Sequence, residues 1–165
     1  RVELLSGIEE SILQNVYDNS ITINSNAKSL VKTMKAHGSK TLLVSGGFSF
    51  FANQIGNTVG FDYVKSNILE IKNGILTGLV KKPILDENSK LKIMNQIAKI
   101  NNIDISDSIA VGDGANDIQM IKQAGIGVSF RGKSKLRKIS DVNITNGDLS
   151  SILYIQGFKK RNFVK

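Results

Sequence analysis

Residues 111–117 read Val-Gly-Asp-Gly-Ala-Asn-Asp and place two carboxylates within one short, glycine-containing segment. The segment follows an apolar run and precedes residues with helical apolar spacing. Asp113 is therefore predicted at the carboxyl end of a strand, and Asp117 in the first turn of a helix. Open α/β sheets bind their ligands at that edge, and carboxylate oxygens suit Mg²⁺. The motif thus indicates a site for Mg²⁺ and a phosphate group.

The same motif has a simpler interpretation as a turn. Gly112 and Gly114 permit a tight backbone path, and Asn116 or Asp117 can cap a helix without taking part in any reaction. If the motif instead forms a ligand site, these glycines let the backbone come close to the ligand. Because short motifs also match by chance, other groups at the same sheet edge are needed to support a ligand site.

Two further segments have residues suited to binding an anion. Ser45-Gly46-Gly47 separates an apolar run at 41–44 from a helical pattern at 48–58, so its hydroxyl and amides are predicted at the start of a helix. Lys90 lies near the start of another helix and could offer a positive charge to a phosphoryl oxygen. Taken alone, Ser45-Gly46-Gly47 fits a tight turn without a ligand equally well. A single lysine near a helix start is more often solvated than functional.

Apolar spacing predicts alternating helices and strands along the chain. Such alternation implies a doubly wound, mostly parallel α/β sheet in which several strand ends meet at one crevice. The predicted elements are a helix at about 8–17, a helix at 27–37 capped by Ser25 or Asn26, strand 41–44, helix 48–58, a hairpin of 68–71 and 75–79 around Asn73-Gly74, a helix capped by Asp86 or Asn88, strands 107–111, 127–130 and 142–145, and a helix capped by Asp148.

Composition is that of one globular domain: 165 residues, 41% hydrophobic and 22% charged. The net charge of +8 comes mainly from segments 131–138 and 159–165, which we expect to be a solvated face and a frayed tail. Tryptophan is absent and the other aromatic residues follow apolar patterns, so no nucleic-acid surface is expected. Neither a bilayer-spanning run nor a signal-peptide pattern occurs, and the lack of cysteine fits a reducing compartment.

In combination the segments resemble the haloacid dehalogenase superfamily and, within it, the phosphoserine phosphatases. The resemblance covers essentially the whole chain in the family's order. It rests on four stretches, 1–7 (Arg-Val-Glu-Leu-Leu-Ser-Gly), 43–48 (Leu-Val-Ser-Gly-Gly-Phe), 86–90 (Asp-Glu-Asn-Ser-Lys) and 111–117, the last followed by Met120, Ile121, Ala124 and Gly125.

The resemblance implies a cytoplasmic enzyme of serine biosynthesis that hydrolyses O-phospho-L-serine with Mg²⁺ through an aspartyl-phosphate. It implies a role for each matching residue. Ser45 and the Gly46 amide would hold the phosphoryl group, Lys90 would stabilise its charge, Asn116 would contact it, Asp113 would ligate Mg²⁺ with Asp117 in support, and Arg1 would pair with the serine carboxylate.

The resemblance also implies a division of the chain and a missing motif. Residues 1–24 would be a remnant of a helical cap, and residues 25–165 the hydrolase core, with a hairpin insertion at about 67–82. The family's Asp-x-Asp-x-Thr motif, which supplies the nucleophile and the acid/base, would lie upstream of Arg1; the pattern does not occur in this sequence. Asp104 and Asp107 are spaced differently and precede a strand. We therefore expect an N-terminally truncated fragment that is inactive alone.

In the family that motif ends a central strand, which lies between the strands ending at Ser45 and Asp113. Without it the sheet would have a gap with two unpaired edges, and the chain alone should be poorly stable or aggregate. Two other functions stay open. One is a phosphatase or phosphotransferase acting on another small phosphomonoester. The other is a non-catalytic relic that binds anions or nucleic acid. The sequence leaves the oligomeric state undetermined.

Overall fold

A computed structural model describes residues 2–164, apart from the side chain of residue 87. Helices and strands alternate along most of the chain, as predicted. The strands are β1 (Leu42–Phe48), β2 (Tyr63–Lys72), β3 (Ile75–Lys81), β4 (Ile109–Gly112), β5 (Ile126–Phe130) and β6 (Val142–Ile144). The helices are α1 (Ile12–Ser20), α2 (Ala27–Ala36), α3 (Ser49–Val59), α4 (Glu87–Ile100), α5 (Ile118–Gln123), α6 (Ser134–Arg137) and α7 (Ser151–Ile155), with 3-10 turns at Val2–Leu5, Ile105–Asp107, Ala115–Asp117 and Lys160–Asn162.

The strands form two sheets of three, in the orders β1-β2-β3 and β4-β5-β6. All the strand pairs are parallel except β2 with β3. Among the described strands, β1 and β4 each have one neighbour, so each presents an unpaired edge. One buried apolar cluster contains Ala110 of β4 together with Met94 and Ile121. Leu42 and Val44 of β1 pack against the same cluster. The two sheets therefore share one core although no described strand joins β1 to β4, and a gap at this place is what the family resemblance implied.

Helices cover both faces of the β4-β5-β6 sheet, which confirms the doubly wound α/β fold. On one face α4, α5 and α6 supply Met94, Ile121 and Leu136. On the other, Ile152 of α7 and Leu30 of α2 pack against the side chains of β5 and β6. No helix in residues 2–164 is long and apolar enough to cross a membrane.

β1 continues through Ser45-Gly46-Gly47, so the predicted turn at these residues is wrong. Val44 pairs with Lys65 and Phe48 pairs with Asn67, which means that four steps along β1 match two along β2. The two glycines lack side chains that would need packing on the pleated surface. The segment therefore bulges while the chain stays extended, and α3 begins only afterwards.

The hairpin prediction is confirmed at Asn73-Gly74, whose φ values of 51° and 75° suit a two-residue turn between antiparallel strands. The hairpin does not project freely into solvent. The Gly7 amide donates to the Leu76 carbonyl at 3.0 Å, and the Leu76 amide donates to the Ile8 carbonyl at 2.8 Å. The segment predicted as a cap remnant therefore lies alongside β3.

The predicted helix caps differ in outcome. Asp86 caps α4 as expected, because its carboxylate accepts from the Ser89 amide at 2.8 Å. Asn26 precedes α2 but makes no capping bond, since its side chain donates to the Asp148 carboxylate at 2.8 Å. Asp148 in turn accepts from the amide of Ser150, which is itself the N-cap of α7. Two side chains expected to act locally thus join distant parts of the chain.

The carboxyl-terminal segment is attached to α2, so the expectation of a frayed tail is wrong for the described residues. Ser29 donates to the Val164 carbonyl and Thr33 accepts from the Val164 amide, each at 2.8 Å. The rings of Tyr154 and Phe163 lie with their centroids 5.0 Å apart. Hydroxyls four residues apart on one helix face hold both backbone groups of one residue, which sequence spacing did not reveal.

A polar network around Asp62 makes stability pH-dependent. Burial acts to raise the pKa of Asp62, but hydrogen bonds from Lys35 and from the amide and hydroxyl of Thr41 outweigh it and lower that pKa. A lowered carboxyl pKa contributes stability above about pH 4, and the contribution is lost as the pH falls through the folded-state value.

We expect Asp62→Asn to lower the free energy of unfolding by about 1 kcal/mol at pH 7, a modest value because the network reaches solvent. The difference from the parent chain should shrink as the pH falls below about 4, because the Asp62 carboxyl becomes protonated as the pH passes through its lowered folded-state pKa. Urea unfolding at pH 3, 5 and 7 measures this, with Asp107→Asn, at an exposed position, as the control. A difference independent of pH would contradict the prediction.

Candidate functional site

Asp113 follows β4 directly, at the carboxyl end of the strand, where the sequence predicted it. It is exposed, and among residues 2–164 no side chain or amide hydrogen-bonds its carboxylate. Asp117, by contrast, is 3% exposed and lies in the 3-10 turn that leads into α5. The two carboxylates of the motif therefore have different surroundings, one open to a ligand and one enclosed.

The Asp117 carboxylate is fully engaged by donors within the protein. One oxygen accepts from Lys90 Nζ at 2.6 Å, and the other accepts from the Asp113 amide at 3.0 Å and the Gly114 amide at 3.1 Å. These bonds fix the backbone that carries Asp113 and tie it to α4. Asp117 thus orients the loop and the lysine instead of offering its own oxygens to a ligand.

The motif's glycines make room for side chains of their own loop. A Cβ at Gly112 would lie 2.5 Å from the Asp117 carboxylate, and one at Gly114 would lie 2.7 Å from Asn116 Oδ1. The sequence interpretation was that these glycines let the backbone approach a ligand. In the structure the space at Gly112 is filled by Asp117, whereas Asn116 is exposed beside the loop.

Lys90 reaches the motif from the first turns of α4. Its side chain is 11% exposed and that of Asp117 is 4% exposed, so the pair is buried at the sheet edge. The two residues are 27 apart in sequence. Position in the helix alone favoured a solvated lysine over a functional one. Burial against a carboxylate distinguishes Lys90 from the chain's many exposed lysines.

Ser45 and its glycines lie at the carboxyl end of β1. The half-buried Ser45 Oγ accepts a hydrogen bond from the Gly47 amide at 3.0 Å, while Gly46 and Gly47 are exposed. Accepting that bond leaves the hydroxyl proton of Ser45 free to be donated elsewhere. The segment therefore offers a hydroxyl donor and an exposed amide.

Asn67, a buried amide on β2 that is 6% exposed, was not predicted from the sequence. Its Nδ2 donates to the Gly46 carbonyl at 2.9 Å, and its Oδ1 accepts from the Leu85 amide at 2.8 Å. The available signal was a polar residue in register with Leu69 on the inward face of an alternating strand. An amide at such a position must find partners, and here both are backbone groups.

These bonds place the predicted site residues at one edge of the fold. Asn67 links Gly46, at the end of β1, to Leu85, just before α4. Lys90 then links α4 to the loop that follows β4. The carboxyl ends of β1 and β4 therefore lie at the same edge, on either side of the gap. Arg1 lies outside the described residues.

The basic segment 131–138, which was predicted to be a solvated face, lies next to the site. The Lys133 amide donates to the Asp113 carbonyl at 3.0 Å, and a Cβ at Gly132 would lie 3.4 Å from the same carbonyl. The exposed basic residues of this segment therefore belong to a loop that contacts the backbone of Asp113, and positive charge near the site favours anionic ligands.

The described residues fit part of a magnesium site. Mg²⁺ is held by one or two carboxylates together with waters and substrate phosphate, and the open carboxylate of Asp113 meets that need. Within residues 2–164 no cluster of three or more histidine, cysteine or acidic side chains could hold a metal. Asp113 would therefore share the ion with a phosphate ligand and with groups outside this set.

Comparison with known proteins agrees with the geometry. Residues 2–122 match the model of the haloacid dehalogenase-like hydrolases. A phosphoserine phosphatase of Albidiferax ferrireducens is 41% identical over 157 residues, covering 93% of this chain and 66% of the relative. One of Archaeoglobus fulgidus is 41% identical over 149 residues, covering 90% of this chain and 43% of the relative. The chain thus spans less than two thirds of the length of both relatives.

Solved structures give the same result for the fold. A phosphoserine phosphatase solved with a phospho-aspartyl intermediate analogue superposes with a TM-score of 0.88 at 39% identity, covering 93% of this chain and 73% of that one. A substrate-bound phosphoserine phosphatase complex gives the same TM-score, identity and coverage. The family match over residues 2–122 includes β1, β4 and the loops that hold Ser45, Lys90 and Asp113.

Proposed function

Since the chain belongs to the haloacid dehalogenase-like hydrolases, with phosphoserine phosphatases as its relatives, we propose that it forms the phosphate-binding part of a Mg²⁺-dependent phosphoserine phosphatase. The observation that carries this is the buried Lys90–Asp117 pair beside the open carboxylate of Asp113. The enzyme would release L-serine and phosphate from O-phospho-L-serine, as a cytoplasmic step of serine synthesis.

Each residue of the site has a distinct role in this proposal. The Ser45 hydroxyl and the Gly46 amide donate to phosphoryl oxygens, and Asn116 contacts the same group. Lys90 is held by Asp117 and stabilises the negative charge that develops during transfer. Asp113 would hold Mg²⁺, which when bound adds positive charge next to the phosphoryl oxygens. Preorganised positive charge is the main requirement of phosphoryl transfer.

The nucleophile in this proposal is an aspartate that these 165 residues do not contain. Its carboxylate oxygen would bond to phosphorus as the bond to the serine oxygen breaks, and a second acid would give that oxygen a proton. Water would then attack the aspartyl-phosphate and release phosphate. The unpaired edges of β1 and β4 support this, because a strand between them would deliver its carboxyl-terminal residues to the same edge.

Arg1 would select the substrate by pairing with its carboxylate, since a planar guanidinium binds a carboxylate through two parallel hydrogen bonds. Replacing Arg1 separates two candidate activities. A phosphoserine phosphatase would lose its preference for phosphoserine over a phosphomonoester that lacks the carboxylate. An enzyme for other small phosphomonoesters would lose nothing, or would lose activity equally on both.

The test joins a segment containing an apolar strand and Asp-x-Asp-x-Thr before Arg1 and measures phosphate release. We expect Mg²⁺-dependent hydrolysis of O-phospho-L-serine, at least about tenfold faster than of phosphoethanolamine, which lacks the carboxylate. Arg1→Ala should remove most of that ratio. Equal rates on both substrates would overturn the assignment to phosphoserine. No release from either, by a folded protein, would overturn the proposed enzyme.

A further inference from the structure

The Asn67 side chain binds two backbone segments that meet at the site. It donates to the Gly46 carbonyl and accepts from the Leu85 amide, at 2.9 and 2.8 Å. The first partner belongs to the segment that carries the Ser45 hydroxyl, and the second immediately precedes the capped start of α4. One buried amide therefore joins the two chain segments that would hold a phosphoryl group from different sides.

The bond to Gly46 fixes the orientation of one peptide plane. In a trans peptide the carbonyl and the following N–H point in opposite directions. Because the Gly46 carbonyl points to Asn67, the Gly47 N–H points the other way, where it donates to Ser45 Oγ at 3.0 Å. Gly46 and Gly47 are exposed and lie in the bulge of β1, where regular pairing with β2 is interrupted. Asn67 thus supplies a hydrogen bond that the interrupted ladder does not.

We propose that Asn67 is a positioning residue that sets the Gly46–Gly47 peptide plane, and through it the direction in which Ser45 donates its hydroxyl proton. The Gly47 N–H occupies one lone pair of Ser45 Oγ, so the hydroxyl proton is directed away from the amide. The bond between the Asn67 side chain and the Leu85 amide fixes the Ser45–Gly47 segment relative to the start of α4, the helix that carries Lys90. Asn67 acts through these backbone groups and touches no reacting atom. The inference rests on the proposed function for the identity of the ligand, a phosphoryl group.

The variant Asn67→Asp tests the proposal because it changes one atom. A carboxylate cannot donate to the Gly46 carbonyl, but it can still accept from the Leu85 amide. The matched control is Asn101→Asp. Asn101 accepts from the Tyr63 hydroxyl at 3.2 Å and donates to the Ile97 carbonyl at 2.8 Å, at the opposite end of α4. Both substitutions remove one amide donor to a backbone carbonyl and add one charge.

Two measurements give the result, both made on the chain with the strand segment that contains Asp-x-Asp-x-Thr joined before Arg1. In hydrogen exchange by NMR, we expect the Gly47 amide to lose protection in Asn67→Asp while Leu85 keeps its own, and Asn101→Asp should leave Gly47 unchanged. In titration with inorganic phosphate, the dissociation constant read from the Ser45–Gly47 amide shifts should rise at least about tenfold in Asn67→Asp only. If Asn67→Asp does not fold, Asn67→Ala removes the same donor without a charge.

The outcomes separate this proposal from the function it rests on. Unchanged Gly47 protection in the Asn67 variants would overturn the positioning role, whatever the phosphate titration gives. Reduced protection with an unchanged phosphate dissociation constant would overturn it as well. If the parent chain shows no phosphate-dependent shift at Ser45–Gly47, the proposed phosphate site fails, and the exchange measurement still decides whether Asn67 sets the peptide plane.

Discussion

The Lys90→Met variant is expected to lose both stability and phosphate binding, and the two losses have separate causes. Methionine keeps an unbranched side chain of nearly the same length but leaves the Asp117 carboxylate, which is 4% exposed, without its cation. Removing one member of a buried ion pair costs about 3–5 kcal/mol, because the remaining charge is uncompensated. Thermal and urea unfolding of the chain joined to the Asp-x-Asp-x-Thr segment measure this loss.

Turnover and phosphate binding should both fall in Lys90→Met even where the protein remains folded. Removal of one preorganised hydrogen-bond donor to a developing negative charge reduces turnover by about 10²–10³-fold. Phosphate release by the chain joined to the Asp-x-Asp-x-Thr segment measures this reduction, and titration of the same protein with inorganic phosphate measures the loss of binding. The double variant Lys90→Met with Asp117→Asn separates the two effects, because the asparagine carbonyl can still accept from the Asp113 and Gly114 amides. We expect it to regain much of the stability and none of the activity. Recovery of activity in the double variant would show that Lys90 has only a structural role.

The second large effect concerns the gap between β1 and β4. Joining an apolar strand segment before Arg1 is expected to raise the midpoint of thermal unfolding by roughly 10 °C or more, since a strand there would pair both open edges and complete the shared core. The 165-residue chain alone should unfold at low temperature or self-associate through those edges. Light scattering and calorimetry distinguish these states.

A matched control uses the same added segment with a proline at the middle of its strand. Proline removes a donor from the ladder and is excluded from central strands, so this segment should stabilise the protein little. Equal stabilisation by both segments would indicate that the added residues pack elsewhere. A monodisperse monomer of the 165-residue chain, with a cooperative transition that neither segment alters, would contradict the gap as a source of instability.

The elements of the fold were largely predictable because their signals are local. The type I′ turn at Asn73-Gly74, the cap at Asp86 and the strand before Asp113 each depend on residues a few positions apart. Prediction was weaker at Ser45-Gly46-Gly47, where small residues fit a turn and a bulged strand equally well. Pairing with β2, some twenty positions later, decided between the two.

What the sequence alone determined was the alternating α/β order, the position of Asp113 at a strand end and the residues that could bind Mg²⁺ and phosphate. Only the tertiary structure decided which polar side chains already have hydrogen-bond partners within the protein. Asp117 accepts hydrogen bonds from Lys90 and two amides, and Asn26 donates to Asp148. Asn67 bonds to two segments that no sequence motif connects. The physical reason is that periodicity and capping depend on near neighbours. A buried polar group, by contrast, must find its hydrogen-bond partners wherever the folded chain brings them.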